Sequence, residues 1–266
     1  MLYLVCTPLG NLKDITLRAL EVLKSVSLIL AEDTRRSAIL CAEYGITAPM
    51  ESYQKFNEKS KCAEIVRRLT CGEEIALVTD AGTPCISDPG NVLVKSVIEN
   101  GLPYTLVGSG CAFVSAAVLS GFDLRSLAFG GFLPEKNSAR AKYLETFKNF
   151  SGCLTFYVSP HSFRKDLESF YSAFGTRKAA LVREISKKFE ECVRFTLGDI
   201  PEFTEKGEYV LVLEGKETEC ELNALSVREH VRYYIARGLD KKDAVKKVAS
   251  DRGVPKSDVY KETFDL

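Results

Sequence analysis

Thr79-Asp80-Ala81-Gly82-Thr83-Pro84-Cys85-Ile86-Ser87-Asp88-Pro89-Gly90 follows directly on the apolar run Ile75-Ala76-Leu77-Val78 and precedes a helical pattern at Val92–Glu99. A short continuous apolar run bounded by turn residues reads as a strand buried on both faces. A polar, glycine-bearing loop at its end lies at the carboxyl edge of a sheet, where open α/β sheets hold small ligands. The small residues after Asp80 let a ligand lie against the backbone.

Working outward, the same alternation recurs. Strands are expected at Leu2–Cys6, Leu28–Ala31, Ile75–Val78 and Tyr104–Val107. Between them, apolar spacing predicts helices over Thr16–Lys24, Ser37–Tyr44, Lys61–Leu69 and Val92–Glu99, then a small-residue helix Cys111–Leu119. Strand–helix alternation implies a mostly parallel sheet covered by helices. Beyond Leu119–Leu124 the pattern changes. A strand opens at Leu127–Gly130, and a charged helix is expected over about Ser138–Phe150. Strand Leu154–Val158 leads into a helix ending at Phe174, and Ala179–Val182, Cys192–Thr196 and Tyr209–Glu214 are strands with few helices between them. That is mixed α+β character. From Ala224 the pattern is helical, with ten Lys and Arg against seven Asp and Glu. The expected organisation is therefore an α/β chain with an N-terminal domain over 1–120, an α+β domain over 121–220 and a basic helical extension over 221–266.

Composition narrows the function. The chain has 266 residues, 45% of them apolar and 27% charged, with zero formal net charge. A neutral surface argues against a molecule that binds polyanions all over, and leaves a local basic patch open. Nine cysteines form no C-x-x-C pair, so free thiols in a reducing cytoplasm are expected and structural zinc is not. No stretch reaches the roughly 18 apolar residues of a membrane span. Two histidines, His161 and His230, are too few for a histidine-rich metal site, and no metal is expected.

Several motifs admit more than one use. Gly108-Ser109-Gly110-Cys111-Ala112-Phe113 opens a helix after a strand but has Phe113 where a dinucleotide fingerprint needs its third glycine. Its helix-start amides suit an adenosine or a carboxylate, or simply close a tight turn. Glu32, Asp33 and Asp80 end strands. They are candidates for proton transfer, and helix capping is the alternative use. Asp33 stands beside Arg35, whose cation can hold a phosphate. His161 faces the ligand cleft or the solvent.

Taken in order, these stretches resemble the tetrapyrrole methylase superfamily, and more closely its branch that acts on small-subunit ribosomal RNA. The matching segments are Thr7-Pro8-Leu9-Gly10-Asn11-Leu12, Asp14-Ile15-Thr16-Leu17-Arg18-Ala19-Leu20, Ala31-Glu32-Asp33-Thr34-Arg35, Asn57-Glu58, Asp80-Ala81-Gly82-Thr83-Pro84 and Ser87-Asp88-Pro89-Gly90. They continue through Ser120-Gly121, Gly131-Phe132-Leu133-Pro134, Tyr157-Val158-Ser159-Pro160-His161 and Arg183-Glu184 to a helical end at Ala244–Lys261. The resemblance implies a two-domain tetrapyrrole-methylase-like fold, a homodimer, and S-adenosyl-L-methionine held in a cleft between the domains. It implies 2′-O-methylation of a cytidine ribose in the decoding region of 16S rRNA. Carried over by position, Pro8, Leu9, Asp80, Gly82, Thr83, Cys111, Ala112, Val158 and Arg183 would meet the cofactor. Arg35, Asn57 and His161 would meet the RNA, and Asp33 or Glu32 would take the proton. A tetrapyrrole-precursor C-methyltransferase and a non-catalytic RNA-binding module are the alternatives.

Two departures stand out. Gly108-Ser109-Gly110-Cys111-Ala112 replaces the family's Pro-Gly-Pro-Ser-Ala, which loosens that loop. Gln54-Lys55-Phe56 stands where the family commonly carries histidines.

Overall fold

The computed structural model describes the chain apart from residues 201, 205, 217–220 and 265. Two compact units are present, Met1–Gly215 and Lys216–Leu266. Residue 220, the expected end of the second domain, lies outside the described residues, as does Asp265 of the acidic complement.

The first unit begins with strands β1 (Leu2–Val5), β2 (Leu28–Ala31), β3 (Met50–Ser52), β4 (Ile75–Val78) and β5 (Tyr104–Val107). They form one sheet in the order β3-β2-β4-β1-β5, with every pairing parallel. All of β2 and β4 is buried, as their unbroken apolar runs require. One face packs Leu2, Leu4, Leu30 and Leu77 against α3 (Glu58–Thr70) and α4 (Asn91–Glu99). The other packs Val5, Ile29, Ala31 and Val78 against α1 (Leu17–Ser25) and α2 (Thr34–Tyr44). Because the strands run parallel, the loops after β1, β2, β4 and β5 emerge on one edge.

Helix α5 (Ala112–Ser120) carries the chain to a second sheet of β6 (Leu127–Phe132), β7 (Cys153–Val158), β8 (Lys178–Arg183), β9 (Glu191–Thr196) and β10 (Tyr209–Leu213). Its order is β6-β7-β10-β8-β9, with β6 parallel to β7 and the other pairs antiparallel. Ala116 of α5 packs on one face with Ala180, Val182, Val210 and Val212. Helices α6 (Asn137–Glu145) and α7 (Phe163–Phe174) bury Leu144, Phe163, Leu167 and Phe170 on the other.

Three details differ from the sequence reading. Strand β3 has no apolar pattern and takes its place as an edge through pairing with β2. Helix α2 begins at Thr34 rather than Ser37, because Asp33 caps it by accepting from the Arg35 amide. The charged helix ends at Glu145, and the chain to Phe150 continues as hydrogen-bonded turns.

The second unit is strand-free among its described residues. A 3-10 turn at Glu221–Ala224 precedes α8 (Val227–Ile235), α9 (Lys241–Arg252) and α10 (Lys256–Glu262). Ser226 and Glu229 form a reciprocal capping box on α8, and Asp240 caps α9. Val231, Ala244, Val245, Val248 and Val259 form its core. His230 is buried here, its Nδ1 accepting from Arg252 Nε at 3.2 Å, and burial lowers its pKa.

Candidate functional site

A cavity of about 380 Å³ opens within the first unit, at the carboxyl ends of β1, β2 and β4 and the start of α5. That volume is within the range of small-molecule sites. Leu9, Glu32, Asp80, Gly82, Thr83, Cys111, Ala112 and Val158 all line it, so eight candidate residues meet in one place. Phe132, Tyr157, Ser159, Pro160, Ile185 and Tyr209 close it from the second sheet.

The loop after β4 is fastened near its start, and at its far end the Gly90 amide donates to Glu58 Oε2 at 3.1 Å. Gly82 and Thr7 exchange backbone hydrogen bonds of 2.9 and 3.0 Å, and Thr83 Oγ1 donates to the Gly110 carbonyl at 2.8 Å. Gly82 has φ 84°, and a Cβ there would meet Leu9 at 3.0 Å. Gly90, at φ 133°, leaves no room for a Cβ between Cys85 and Leu77. Four non-glycine residues among those described have positive φ: Cys85, Ser87, Glu184 and Ser186. One pair flanks Ile86 and the other flanks Ile185, both cavity-lining, so the strained backbone is confined to the cavity's walls.

Four carboxylates line the cavity: Glu32, Asp80, Asp88 and, just before β10, Glu208. Asp80 Oδ1 accepts from the Asp33 amide at 3.0 Å, and its Oδ2 pairs with Arg36 at 3.3 Å. Burial raises the Asp80 pKa, with Glu32 and Asp33 adding to the rise and the Asp33 amide and Arg36 opposing it. Glu32 accepts from Thr79 Oγ1 at 2.9 Å. Asp88 is pushed up to about 6, first by burial and then by the charges of Glu32 and Asp80. Phe132, Tyr157 and Tyr209 line the cavity from the second sheet. Tyr157 meets Phe132 at 5.3 Å and Phe129 at 4.8 Å, and Phe129 in turn stacks on Phe113 at 4.3 Å. Burial raises the Tyr157 hydroxyl and the Cys111 thiol, so both remain protonated at neutral pH.

Other candidates stand apart. Pro8 lines an adjoining cavity of about 200 Å³ that shares Leu9 and Ile185 with the first. Asp33 does not line the main cavity. Its carboxylate is held by Arg35 at 2.7 Å, and that bond and the Arg35 amide lower its pKa to about 2, which makes it a poor proton acceptor. Arg35 is an exposed rim residue. Asn57 is spent on its own loop, accepting from the Gln54 amide at 2.7 Å and donating to the Ser52 carbonyl at 3.3 Å. His161 lies exposed in a 3-10 turn beside the lining residue Pro160. Arg183 is outside the cavity, donating to the Lys206 carbonyl at 3.3 Å. The reading by residue types passed over Arg36 and Asp88. Asp88 was visible in the opening stretch, but its burial depends on how Cys85–Gly90 folds back.

Among the described residues, no group of three His, Cys, Asp or Glu side chains could hold a metal ion, and no helix is long and apolar enough to cross a membrane. The eight described cysteines are free thiols.

A parallel sheet and a mixed sheet with a cavity at the strand ends make an α/β fold, and the family it matches is one of methylases. The family model for tetrapyrrole (corrin/porphyrin) methylases matches residues 1–201. Among solved structures, diphthine synthase superposes with a TM-score of 0.64 at 10% identity, covering 80% of this chain and 89% of that one. Uroporphyrin-III C-methyl transferase from Thermus thermophilus, complexed with S-adenyl homocysteine, gives 0.56 at 16% identity, covering 80% and 96%. Ribosomal RNA small subunit methyltransferase I of Bacillus subtilis (strain 168) is 40% identical over 98% of this chain and 92% of its own length. Its counterpart in Pasteurella multocida (strain Pm70) is 39% identical over 98% and 95%. The chain belongs to the tetrapyrrole methylase family and, within it, groups with the ribosomal RNA small subunit methyltransferase I proteins.

Proposed function

We propose that this protein is an S-adenosyl-L-methionine-dependent ribosomal RNA methyltransferase, and that it methylates the ribose 2′-hydroxyl of a cytidine in the decoding region of 16S rRNA. The observation that carries the reading is the cavity: Glu32, Asp80 and Asp88 from the first sheet and aromatic rings from the second, in a chain related over nearly its whole length to proteins of that name.

The residues present suit the cofactor. When bound, it supplies a methyl group on a cationic sulfur. Glu32, Asp80 and Asp88 provide a field that favours a cation, the start of α5 favours a carboxylate, and Gly82 and Ala112 let a ligand approach the backbone. Leu9, Asp80, Gly82, Thr83, Cys111, Ala112 and Val158 would hold it. Arg183 would act from behind, fixing the segment that leads into β10 through Lys206.

A ribose hydroxyl needs a proton acceptor as it reacts. Asp33 is the weakest candidate, for the reason given above. Asp88, mostly ionised at neutral pH and lining the cavity, is the proposed base, with Glu32 beside it. Arg35 and His161 would meet RNA at the rim, and Asn57 would hold the loop in shape.

The helical unit would contribute phosphate contacts. Arg232, Lys242, Lys246 and Lys256 belong to a surface whose cations outnumber its acids. The division into domains over 1–120, 121–220 and 221–266 follows these roles. A homodimer and a cytoplasmic location complete the proposal. Tyr104 and Leu106, 44% and 49% exposed on edge strand β5, would be covered by the second copy.

Incubation with tritiated S-adenosylmethionine and unmodified small ribosomal subunits tests the reading. Label on one decoding-region 2′-oxygen, lost in D88N while the cofactor still binds, is expected. Cofactor binding with no label in RNA would redirect the reading to a tetrapyrrole acceptor. No binding at all would leave an RNA-binding module.

A further inference from the structure

We propose that Phe56 is a stacking platform for an unstacked RNA base at the mouth of the cavity. This deepens the functional reading above and rests on it.

Phe56 lies between β3 and α3 and is 84% exposed. A single exposed apolar side chain is ordinary. What distinguishes this one is the loop that presents it. Tyr53 is fully buried beneath the loop. The Asn57 and Glu58 amides both donate to the Gln54 carbonyl, at 3.0 and 2.9 Å, and Asn57 Oδ1 accepts from the Gln54 amide. Two side chains then tie the loop to the cavity. Gln54 Nε2 donates to the Glu32 carbonyl at 2.8 Å, and Lys55 Nζ donates to the Ser87 carbonyl at 2.7 Å. Glu32 and Ser87 both line the cavity. The ring is thus held out to solvent by a closely bonded loop on the rim of the site.

Its surroundings suit a polyanion with flat bases. The Lys55 ammonium is on the same loop. The Arg35 and Arg36 guanidiniums are 88% and 62% exposed on α2, which begins just after Glu32. Asp33 and Asp80 pair with those two arginines, and Glu58 Oε2 accepts from the Gly90 amide at 3.1 Å. The acids are therefore engaged from within, and the cations form the outer layer. Sequence-specific RNA recognition takes bases out of the stack and lays them on aromatic rings, while cations hold the backbone. A protein partner would call for a broader apolar surface than one ring framed by cations.

The experiment uses the full-length protein, unmodified small subunits, and an RNA oligonucleotide copying the acceptor loop. F56A should weaken binding to the oligonucleotide about 10-fold or more, the scale of one lost base–aromatic stack. It should raise KM for subunits by a similar factor and leave cofactor affinity unchanged by calorimetry. F56W should restore binding. In oligonucleotides with an abasic residue at the acceptor or either neighbour, the F56A penalty should disappear at one position, which loss of loop structure would not produce. Binding and KM within twofold of wild type in F56A, or a penalty undiminished at all three abasic positions, would overturn the platform. If the wild-type protein neither binds nor labels RNA, the functional reading fails and takes this inference with it.

Discussion

The parallel strands β2 and β4 bring Glu32, Asp80 and Asp88 to the cavity on loops that follow strand ends. The mixed strands β6, β7 and β10 bring Phe132, Tyr157, Val158 and Tyr209 to the same cavity from within or beside the strands themselves. One wall therefore carries three of the four carboxylates on loops outside the strands. The other carries shape on residues already committed to a sheet, with Glu208 at the edge of β10. Changes on the first wall should alter chemistry with modest effect on folding, and changes on the second should do the reverse.

Asp88 gives the widest separation between the two. D88N should lower the methylation rate by roughly 10²- to 10⁴-fold, the usual reach of a general base. In the wild type the rate should rise as pH passes upward through about 6. Folding stability should move the other way. The folded-state pKa lies above the ordinary 3.8, so the folded protein binds the extra proton between about 4 and 6. Stability due to this group falls as pH rises through that window, and the cost of burying its charge is complete above it. D88N should then melt above the wild type at pH 7.5 and lose that advantage near pH 4. A variant both inactive and less stable at pH 7.5 would mean that Asp88 serves the fold.

Behind the second wall, Arg140 of α6 and Asp166 of α7 form a buried pair at 2.5 Å. Arg140 also donates to the Pro134 carbonyl, and Ser162 donates to Asp166 at 2.6 Å, so the pair braces the turns after β6 and β7. R140M strands a buried carboxylate and should cost about 3–5 kcal/mol in denaturant unfolding. R140M/D166L should recover much of it. G130A comes next: a Cβ at Gly130 would approach Phe156 Cε1 to 2.1 Å, and overpacking of this kind costs about 1–3 kcal/mol. Its effect on cofactor affinity should follow its effect on stability. The smallest change is S87G, on the first wall. Relief of the positive φ is offset by a freer unfolded chain, so stability should shift by under about 1 kcal/mol. A larger loss would show that the Ser87 side chain supports the loop.

The same contrast explains what could be read before folding. Leu28–Ala31 and Ile75–Val78 announce themselves because a strand buried on both faces is apolar throughout. The loops that follow such strands are then candidate sites by topology, which makes Asp80 legible, whereas Cys111 follows the half-exposed β5 and enters through the family resemblance. Met50–Ser52 carries no such pattern, since an edge strand needs only a neighbour's backbone. Arg36 reaches Asp80 from the next helix across 44 residues, and no local spacing predicts that pair. Arg183 was expected at the cofactor from the family resemblance alone. Side chains alternate along β8, however, and Arg183 shares its face with Leu181 and leans toward the Tyr209 ring, away from α5.

The bonds from Thr7 to Gly82 and from Thr83 to Gly110 also bear on how the protein reaches its native state. Thr7 Oγ1 donates to the Thr79 carbonyl 72 residues along the chain, and β4 must insert between β1 and β2 before that contact exists. Pairings of such long sequence separation are slow to form, because loop closure precedes any reward. The carboxylates and the helix start therefore come together only late in refolding, when the central strand has found its place. Recovery of ligand binding after dilution from denaturant should lag behind recovery of helical signal, and the lag measures the insertion of β4.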